Sequence, residues 1–331
     1  MKIHLFLCTM CLALFACSTP EYLAMEALIP ADVSFSPSVK RMAVLNNILL
    51  EKEKRLPDQS VLIPADASVL IEALAGRIAD AQYFDQVVIC DSFLRSGERL
   101  SVLLPSDDVE RLCKDLNVDV LLTVDAANMK AENTLMYTDF SGEEKVPVLS
   151  GALTLETRLY MKGREKPFQR FEDKDTLYWV LENMVDVHKI KEVSECMAEL
   201  PVSHIVPCWN EISRVFYRGG TVNMRDAAVA VHENDWEQAR ISWQKEYDTK
   251  KGKSKMRAAF NMSLYHEMNG TLDEALKWVA EARKIARQKY GEVPENKKLL
   301  PEDYLLIIDY EEKLQQKSFM QQKLDLQMKR F

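Results

Sequence analysis

Glycine and histidine are both scarce in this chain, and neither is arranged as a nucleotide-binding or metal site needs. Among the 10 glycines, the adjacent pair Gly219-Gly220 is too short for a phosphate-binding loop, and no P-loop or dinucleotide-binding pattern occurs. The 5 histidines lack HxxxH spacing, and no CxxC pair occurs after residue 17. Ser150-Gly151 does not form the nucleophile elbow of a hydrolase. We therefore expect a protein that is not an enzyme and that has no metal ion and no cofactor.

Clustered positive charge is also missing. The formal net charge is −8, and the densest basic segment, Lys250 to Lys255, is typical of a solvated loop between helices. Adjacent acidic pairs such as Asp107-Asp108 and Glu311-Glu312 do not share a helix face, so they do not favour a glycosidase. The sequence therefore predicts no nucleic-acid partner.

The longest apolar run lies at the amino terminus, where Ile3 to Ala16 carries no charge beyond His4. It is shorter than the roughly 20 residues that span a bilayer, and it has the length of a secretory signal. Its end, Leu14-Phe15-Ala16-Cys17, resembles a bacterial lipobox, although Phe15 occupies a position that usually holds a smaller residue. Residues 1–17 are therefore interpreted as a lipoprotein signal peptide.

The lipobox resemblance implies that Cys17 is the lipidated residue and the mature amino terminus, carrying a diacylglyceryl thioether and a further acyl chain such as palmitate. Several acyl chains anchor a protein firmly where one chain is marginal. Ser18 resembles the outer-membrane sorting choice of Gram-negative bacteria, and the face of that membrane stays open. The alternative is an ordinary cleaved signal that ends near an incidental cysteine.

The predicted mature chain keeps four of the seven cysteines: Cys90, Cys113, Cys196 and Cys208. An even number in an oxidising compartment permits disulfides. Cys196 and Cys208 are close enough in sequence to pair across the turn between Pro201 and Pro207. Cys90 and Cys113 are interpreted as buried free thiols.

The amino-terminal half is predicted to be a tether over residues 18–38 and an α/β domain over 39–180. Strands are expected at Arg41–Asn46, Val87–Ile89 (buried on both faces) and Val118–Val124, and as a hairpin of Gly151–Met161 with Phe168–Trp179 turning at Gly163. Helices are expected at Ala67–Ala81, capped by Asp66, and at Asp107–Leu116, capped by Ser106 and stopped by Asn117.

This order of elements resembles the α/β domain at the amino end of TolB and in the CsgG-like lipoproteins. The matching segments are KRMAVLN, ALAGRIADAQYFDQVVI, LCKDLNVDVLLTVDA and ALTLETRLYM. The resemblance covers residues 39–180. It implies an assembly or interaction domain of the cell envelope and no catalytic residues.

The carboxy-terminal half is predicted to be helical over residues 181–314, with a polar, fraying helical tail over 315–331. Ala239 and Ala275, 36 positions apart, follow similar turns at Asn234-Asp235 and Asn269-Gly270. This period is close to the roughly 34 residues of tetratricopeptide repeats, whose small residues let paired helices approach. The segment therefore resembles tetratricopeptide-like repeats, and Ala282 occupies the second small position of the later copy.

A partner groove is predicted on this helical half. Cys208–Tyr217 is expected to be a helix, with Arg214 and Tyr217 on one of its faces. The candidate groove residues are Arg214, Tyr217, Trp236, Trp243, Asn261, Tyr265 and Trp278.

Taken together, these features predict an α+β protein, with a small α/β sheet domain followed by an all-α, tetratricopeptide-like domain. The whole chain is similar to tetratricopeptide-bearing envelope lipoproteins of Bacteroidales. We expect a non-catalytic outer-membrane lipoprotein that acts as a protein–protein scaffold, with envelope proteins as partners and the membrane as its anchor. The alternative is a ligand- or glycan-binding lipoprotein of a nutrient-uptake system.

Overall fold

A computed structural model describes residues 20–49, 52–95, 101–137, 145–180, 187–294 and 299–330. The predicted signal peptide and its lipidation residue Cys17 lie outside the described residues. Strands dominate the amino-terminal half and helices the carboxy-terminal half, which confirms the predicted α+β class. Within the described ranges, no helix is both long enough and apolar enough to cross a membrane.

The strands and helices are numbered in chain order. The strands are β1 (Pro20–Ile29), β2 (Arg41–Asn46), β3 (Lys54–Arg55), β4 (Val61–Pro64), β5 (Gln86–Cys90), β6 (Val120–Tyr137), β7 (Lys145–Met161), β8 (Gln169–Val180) and β9 (Cys208–Tyr217). The helices are α1 (Ala67–Asp80), α2 (Ser106–Asp115), α3 (Val187–Met197), α4 (Val202–Ile205), α5 (Val222–His232), α6 (Trp236–Thr249), α7 (Gly252–Met268), α8 (Leu272–Tyr290) and α9 (Glu302–Met328).

The chain divides into two compact units whose borders differ from the predicted domains. Among the described residues, the α/β unit consists of those within Ile29–Cys208 and 324–330, and the helical unit consists of 20–28 and those within Trp209–Lys323. The predicted domains are consecutive in sequence, whereas each unit is built from two separate stretches of the chain. Contacts between residues distant in sequence determine this division, and local sequence patterns do not report such contacts.

The α/β unit is organised around β2, which pairs in parallel with β5 on one side and with β6 on the other. Met42 and Val44 point into the core that contains α1 and α3, while Ala43 and Leu45 point into a second core with α2. The stretch of a strand that is covered on both faces is expected to be apolar at successive positions, which explains the continuous apolar run from Met42 to Leu45 in β2. Strand β4 pairs with β6 in antiparallel orientation further along the same edge as β2, while β7 occupies the opposite edge of β6.

Several predicted elements of this unit are confirmed, and two details are corrected. Asp66 caps α1 by accepting hydrogen bonds from the backbone N–H groups of Ser68 and Val69. Ser106 is the first residue of helix α2 rather than its cap. The capping position is Pro105, whose side chain cannot accept a hydrogen bond. Strand β5 is an edge strand rather than a strand buried on both faces, and Ile89 is about half exposed.

Strands β7 and β8 form the predicted hairpin, with the turn after β7 at Gly163, and β6 pairs with β7 as a third antiparallel strand that was predicted only as a short strand. Gly151 in β7 lies where the ring of Trp179 crosses the strand. A Cβ atom at this position would be 2.7 Å from both the Trp179 ring and the Met129 sulfur. Glycine is needed at this position because the Trp179 ring and the Met129 sulfur lie close to the strand, and not because the backbone is unusual there.

The helical unit contains two antiparallel helical hairpins, α5 with α6 and α7 with α8, followed by α9. Ala239, Ala275 and Ala282 are fully buried between these helices, as expected for small residues that permit close helix packing. Tyr304, Ile307 and Leu314 of α9 complete the same core.

Two segments predicted to be poorly structured are ordered parts of the fold. Residues 20–29 of the predicted tether form β1, which pairs with β9 in a two-stranded sheet, and Ala31, Val33 and Phe35 are buried. Pro20 is compatible with a strand because it is the first residue, where no ladder hydrogen bond is lost. The predicted fraying tail continues α9 to Met328, and its Gln327 is buried against the backbone of Ala31 and Val33.

Candidate functional site

The predicted groove residues Arg214 and Tyr217 lie on strand β9, so the prediction of a helix over Cys208–Tyr217 was wrong. Residues three apart on a strand point to opposite faces, whereas on a helix they share a face. Both side chains are nonetheless buried, because β9 lies between its partner strand β1 and the helices. These two residues therefore do not line an open groove.

Helix α7 holds β9 through the main chain of the strand. The Asn261 side chain accepts a hydrogen bond from the Tyr217 N–H (2.9 Å) and donates one to the Tyr217 C=O (2.8 Å). Asn261 is fully buried, so a side-chain amide satisfies two backbone groups that have no access to water. Asn261, a predicted groove residue, is thus part of a surface that binds an extended segment of its own chain.

A buried ion cluster adjoins this contact. The Arg214 guanidinium donates two hydrogen bonds to Glu267 of α7, with Nε–Oε2 at 2.9 Å and Nη2–Oε1 at 2.8 Å. Glu267 also accepts hydrogen bonds from the Tyr310 hydroxyl (2.8 Å) and the Lys317 ammonium (2.9 Å) of α9. Such a bidentate arginine–carboxylate pair is among the stronger hydrogen-bonded contacts in proteins. The cluster therefore connects β9, α7 and α9.

The cluster keeps its carboxylate charged. Burial by itself raises the pKa of Glu267, but hydrogen bonds and charge from Arg214 and Lys317 outweigh burial and hold that pKa below its usual value. Burial, reinforced by the negative charge of Glu267, raises the pKa of the Tyr310 hydroxyl well above normal. Tyr310 consequently stays neutral and acts as a hydrogen-bond donor.

A second ion group lies at the other end of α7. Arg257 and Lys253 both contact the Asp303 carboxylate of α9, with Nη2–Oδ1 at 2.8 Å and Nζ–Oδ2 at 2.7 Å. The Arg257 guanidinium also lies 4.6 Å from the centre of the Tyr217 ring, within the range of a cation–π contact. Tyr217 is therefore fixed through both its backbone and its ring.

The remaining predicted groove residues divide between core and surface. Trp243 is fully buried in the centre of the helical core. Trp278 is partly exposed and contacts the Tyr247 ring edge to face, with centroids 4.9 Å apart. Trp236 and Tyr265 are also partly exposed. Only these last three of the seven candidates are accessible to a partner.

We use the name aromatic cluster for Glu237, Arg240 and Tyr265, which contact one another, together with Trp236, which precedes Glu237 in α6. The Tyr265 hydroxyl donates to Glu237 Oε2 (2.8 Å), and Arg240 contacts the same carboxylate while lying 5.8 Å from the Tyr265 ring centre. The hydrogen bond from Arg240, followed by that from Tyr265, lowers the pKa of Glu237 to about 2. The cluster therefore presents aromatic rings together with both signs of charge.

The predicted disulfide between Cys196 and Cys208 is absent, and both thiols are free. Cys196 belongs to α3, while the Cys208 thiol donates a hydrogen bond to the Val206 carbonyl (3.3 Å). Burial raises the pKa of both thiols, which disfavours the reactive thiolate form. Cys90 and Cys113 are free as well; Cys113 is buried as expected, whereas Cys90 is only partly buried.

The α/β unit contains a polar cluster that the sequence analysis missed. The buried Asp125 accepts hydrogen bonds from Asn47 (2.5 Å) and Thr123 (3.0 Å), and it forms an ion pair with Arg158. Burial raises the pKa of Asp125 against the opposing effect of these partners. Within the described ranges, no group of three or more His, Cys, Asp or Glu side chains is arranged to hold a metal ion.

The missed strands left signals in the sequence. In β1, Leu23, Met25 and Ala27 alternate with the exposed Tyr22, Ala24 and Glu26, which is the period of a half-buried strand. The end of β9 is a run of branched and aromatic residues, which favours a strand over a helix.

Comparison with family models matches more than half of this chain to one protein family. Residues 34–217 match the model described as a domain of unknown function, DUF8603, and this match covers more than half of the chain. The chain belongs to the DUF8603 family. The DUF8603 match extends through the α/β unit to the last residue of β9, and residues 225–316 match a second domain of unknown function, DUF6340.

Solved structures show only distant similarity to this DUF8603 protein. The PelC dodecamer from Paraburkholderia phytofirmans is 12% identical with a TM-score of 0.27, covering 55% of this chain and 97% of PelC. Its L103M variant is 11% identical with a TM-score of 0.26, covering 55% and 98%. A hypothetical protein from Chlamydia trachomatis is 9% identical with a TM-score of 0.18, covering 42% and 74%. A search among curated proteins found no match.

Proposed function

We propose that this protein is a lipid-anchored, non-catalytic scaffold of the outer membrane, whose helical unit binds envelope proteins. The observation that carries the proposal is that α7 binds strand β9 through hydrogen bonds of Asn261 and Glu267. A helical surface that holds an extended segment by its main chain has the chemistry required to bind protein chains. The lipobox-like sequence ending at Cys17 supports attachment to a membrane.

The binding surface that we propose is the aromatic cluster rather than the buried groove. Aromatic residues and arginine dominate the energetics of protein interfaces, because they combine large contact area with hydrogen bonding. Trp236, Tyr265 and Arg240 are of these types and are partly exposed. Confinement to a membrane raises the effective concentration of a partner, so a small surface of this kind suffices.

The test is a crosslinking pull-down from intact cells that produce the tagged full-length protein. The Trp236→Ala, Tyr265→Ala double variant is expected to lose specific envelope partners. Trp209→Ala is the matched control, because Trp209 is an exposed aromatic residue of the same unit outside the aromatic cluster. Circular dichroism of both variants checks that folding is retained.

The outcomes separate the alternatives. Envelope proteins that depend on Trp236 and Tyr265 would support the scaffold and identify its system. Identical partners for wild type and the double variant would reject the aromatic cluster as the binding surface. Recovery of uptake machinery alone would favour the alternative of a ligand- or glycan-binding lipoprotein.

Membrane attachment is tested separately with Cys17→Ala. Release of this variant into the soluble fraction is the expected result. Unchanged membrane association would contradict lipidation at Cys17.

A further inference from the structure

His204 joins three separate segments of the α/β unit through one imidazole ring. Its Nδ1 atom lies 2.5 Å from Asp32 Oδ2, and its Nε2 atom lies 2.8 Å from Asp173 Oδ1 of β8. The ring stacks on Phe171, with parallel planes and centroids 4.3 Å apart. His204 itself lies in α4, so the ring connects α4, β8 and the segment that follows β1.

The segment that follows β1, residues 31–33, is called the strap here. Two kinds of contact hold it to the α/β unit. Backbone bonds run from Asp32 N–H to the Ser203 carbonyl (3.3 Å) and from Val33 N–H to the His204 carbonyl (2.9 Å), and Gln327 bonds the backbone of Ala31 and Val33. Ala31 and Val33 are buried. None of these contacts requires a titrating group, whereas the contact between Asp32 and His204 does.

The proton count of the imidazole determines whether both carboxylates can be bound. A neutral imidazole has one N–H and one lone pair, so it can donate to only one of two flanking carboxylates. The other carboxylate then faces a lone pair, which is repulsive. Both short contacts are satisfied together only when the ring carries two N–H groups and a positive charge.

We propose that His204 is a pH-sensitive latch that tightens the strap onto the α/β unit in acid and loosens it as the pH rises. The charged groups that face the ring are Asp32 from the strap and Asp173 from β8, and both favour its protonated form. The backbone bonds and Gln327 remain at every pH. The latch therefore adjusts the stability of the strap rather than releasing the segment completely.

The direction of the effect follows from the ionisation of the ring. The pKa of His204 is raised above its ordinary value of 6.5. The hydrogen bond to Asp173 raises this pKa most, burial lowers it, and the hydrogen bond to Asp32 raises it further. A raised histidine pKa adds stability that is fully present below the ordinary value and is lost as the pH rises through the folded value. The strap is thus expected to be tightest at mildly acidic pH and to loosen above neutrality.

Hydrogen exchange of the Asp32 and Val33 amides, corrected for the intrinsic dependence of exchange on pH, tests the proposal on the full-length protein. We expect protection of these amides to fall several-fold as the pH rises from about 5.5 to 8.5, across the histidine range. In Asp32→Asn, the neutral amide bonds either form of the ring, so that the pH dependence should be largely lost. The side chain of Asp32 is mostly exposed, and this substitution should leave the fold intact.

His232→Gln is the matched control, because this exposed histidine of the helical unit contacts Glu21 and is remote in sequence from the strap. The pH response of the strap should be the same in this variant as in wild type. Protection that does not change with pH in wild type would overturn the latch. An unaltered pH response in both Asp32→Asn and His204→Gln would also overturn it.

Discussion

Both units of this protein contain a buried carboxylate within a polar cluster, and these two carboxylates, Asp125 and Glu267, are stabilised differently. Asp125 in the α/β unit has one cationic partner, Arg158, and two neutral donors, Asn47 and Thr123. Glu267 in the helical unit has two cationic partners, Arg214 and Lys317, and the Tyr310 hydroxyl. Burial raises the pKa of Asp125, whereas the pKa of Glu267 is lowered despite burial.

The larger number of cationic partners around Glu267 accounts for the opposite directions of the two pKa shifts. Removing a carboxylate from water costs several kcal/mol, and a single ion pair frequently fails to offset that cost. A second cation and a bidentate geometry reverse the balance around Glu267. The helical unit therefore holds β9 with a permanent charge, while the corresponding cluster of the α/β unit relies more on neutral hydrogen bonds.

The largest effect is expected when the bidentate partner of Glu267 is removed. Arg214→Met leaves a fully buried carboxylate with one cation and removes the ion-pair contact between β9 and α7. Breaking a buried pair in this way costs about 3–5 kcal/mol, which we expect as the loss in the free energy of unfolding measured in urea.

Arg218→Met is the matched control for this variant. Arg218 follows β9 directly, but its side chain is more than half exposed and it lies 3.4 Å from Glu21. A loss of less than about 1 kcal/mol is expected, because surface pairs contribute little. Equal losses for the two variants would contradict the distinction between the buried and the exposed arginine.

Removing the amide that holds the strand should have the next largest effect. Asn261→Leu keeps the side-chain volume but leaves the buried N–H and C=O of Tyr217 without their partner. We expect a loss of about 2–3 kcal/mol in the free energy of unfolding, since buried unpaired groups cost about 1–3 kcal/mol. Asn210→Leu, on an exposed position of β9, should be close to neutral. A neutral Asn261→Leu would show that α7 does not hold β9 by this contact.

The pH dependence of stability should separate the two carboxylates. The pKa of Glu267 is depressed in the folded state, so its contribution is present above the ordinary value of 4.5 and is lost as the pH falls below it. The pKa of Asp125 is raised, so its contribution is present at low pH and is lost as the pH rises above the ordinary value of 3.8.

Urea unfolding of Glu267→Gln and Asp125→Asn at several pH values measures this contrast. Relative to Glu267→Gln, the wild type should gain stability as the pH rises through the acidic range. Relative to Asp125→Asn, it should lose stability over the range above 3.8. If the stability difference between wild type and variant changed with pH in the same direction for both variants, the contrast between the two clusters would be wrong.

The sequence predicted the α/β unit well because its signals are local. Strand β2 and helix α1 each show a hydrophobic period and an identifiable boundary, and both were found at nearly the observed residues. Strand β9 was predicted to be a helix because Trp209, Ile212, Val215 and Phe216 have helix-like spacing. Its conformation is supported instead by Glu267 and Asn261, which are 53 and 44 positions away from their partners, and by β1.

The candidate site was predicted only in part, for the same physical reason. Residue types identified Arg214, Tyr217 and Asn261 as important, and the structure joins Asn261 to Tyr217, while Arg214 binds Glu267. What the types did not reveal is that β9 occupies the helical surface and buries these residues. Accessibility depends on the whole fold, whereas residue type and spacing are local properties.

The smallest effect is expected for the exposed ion pair of the aromatic cluster. Glu237 binds Arg240 and Tyr265 in solvent, where water screens the attraction, although these partners lower its pKa to about 2. Glu237→Gln should therefore leave the urea midpoint unchanged within error, in contrast to Glu267→Gln. If the pull-down from cells nevertheless loses partners in Glu237→Gln, the carboxylate acts in binding rather than in folding. A large drop in stability would instead place Glu237 among the structural ion pairs and remove it from the proposed surface.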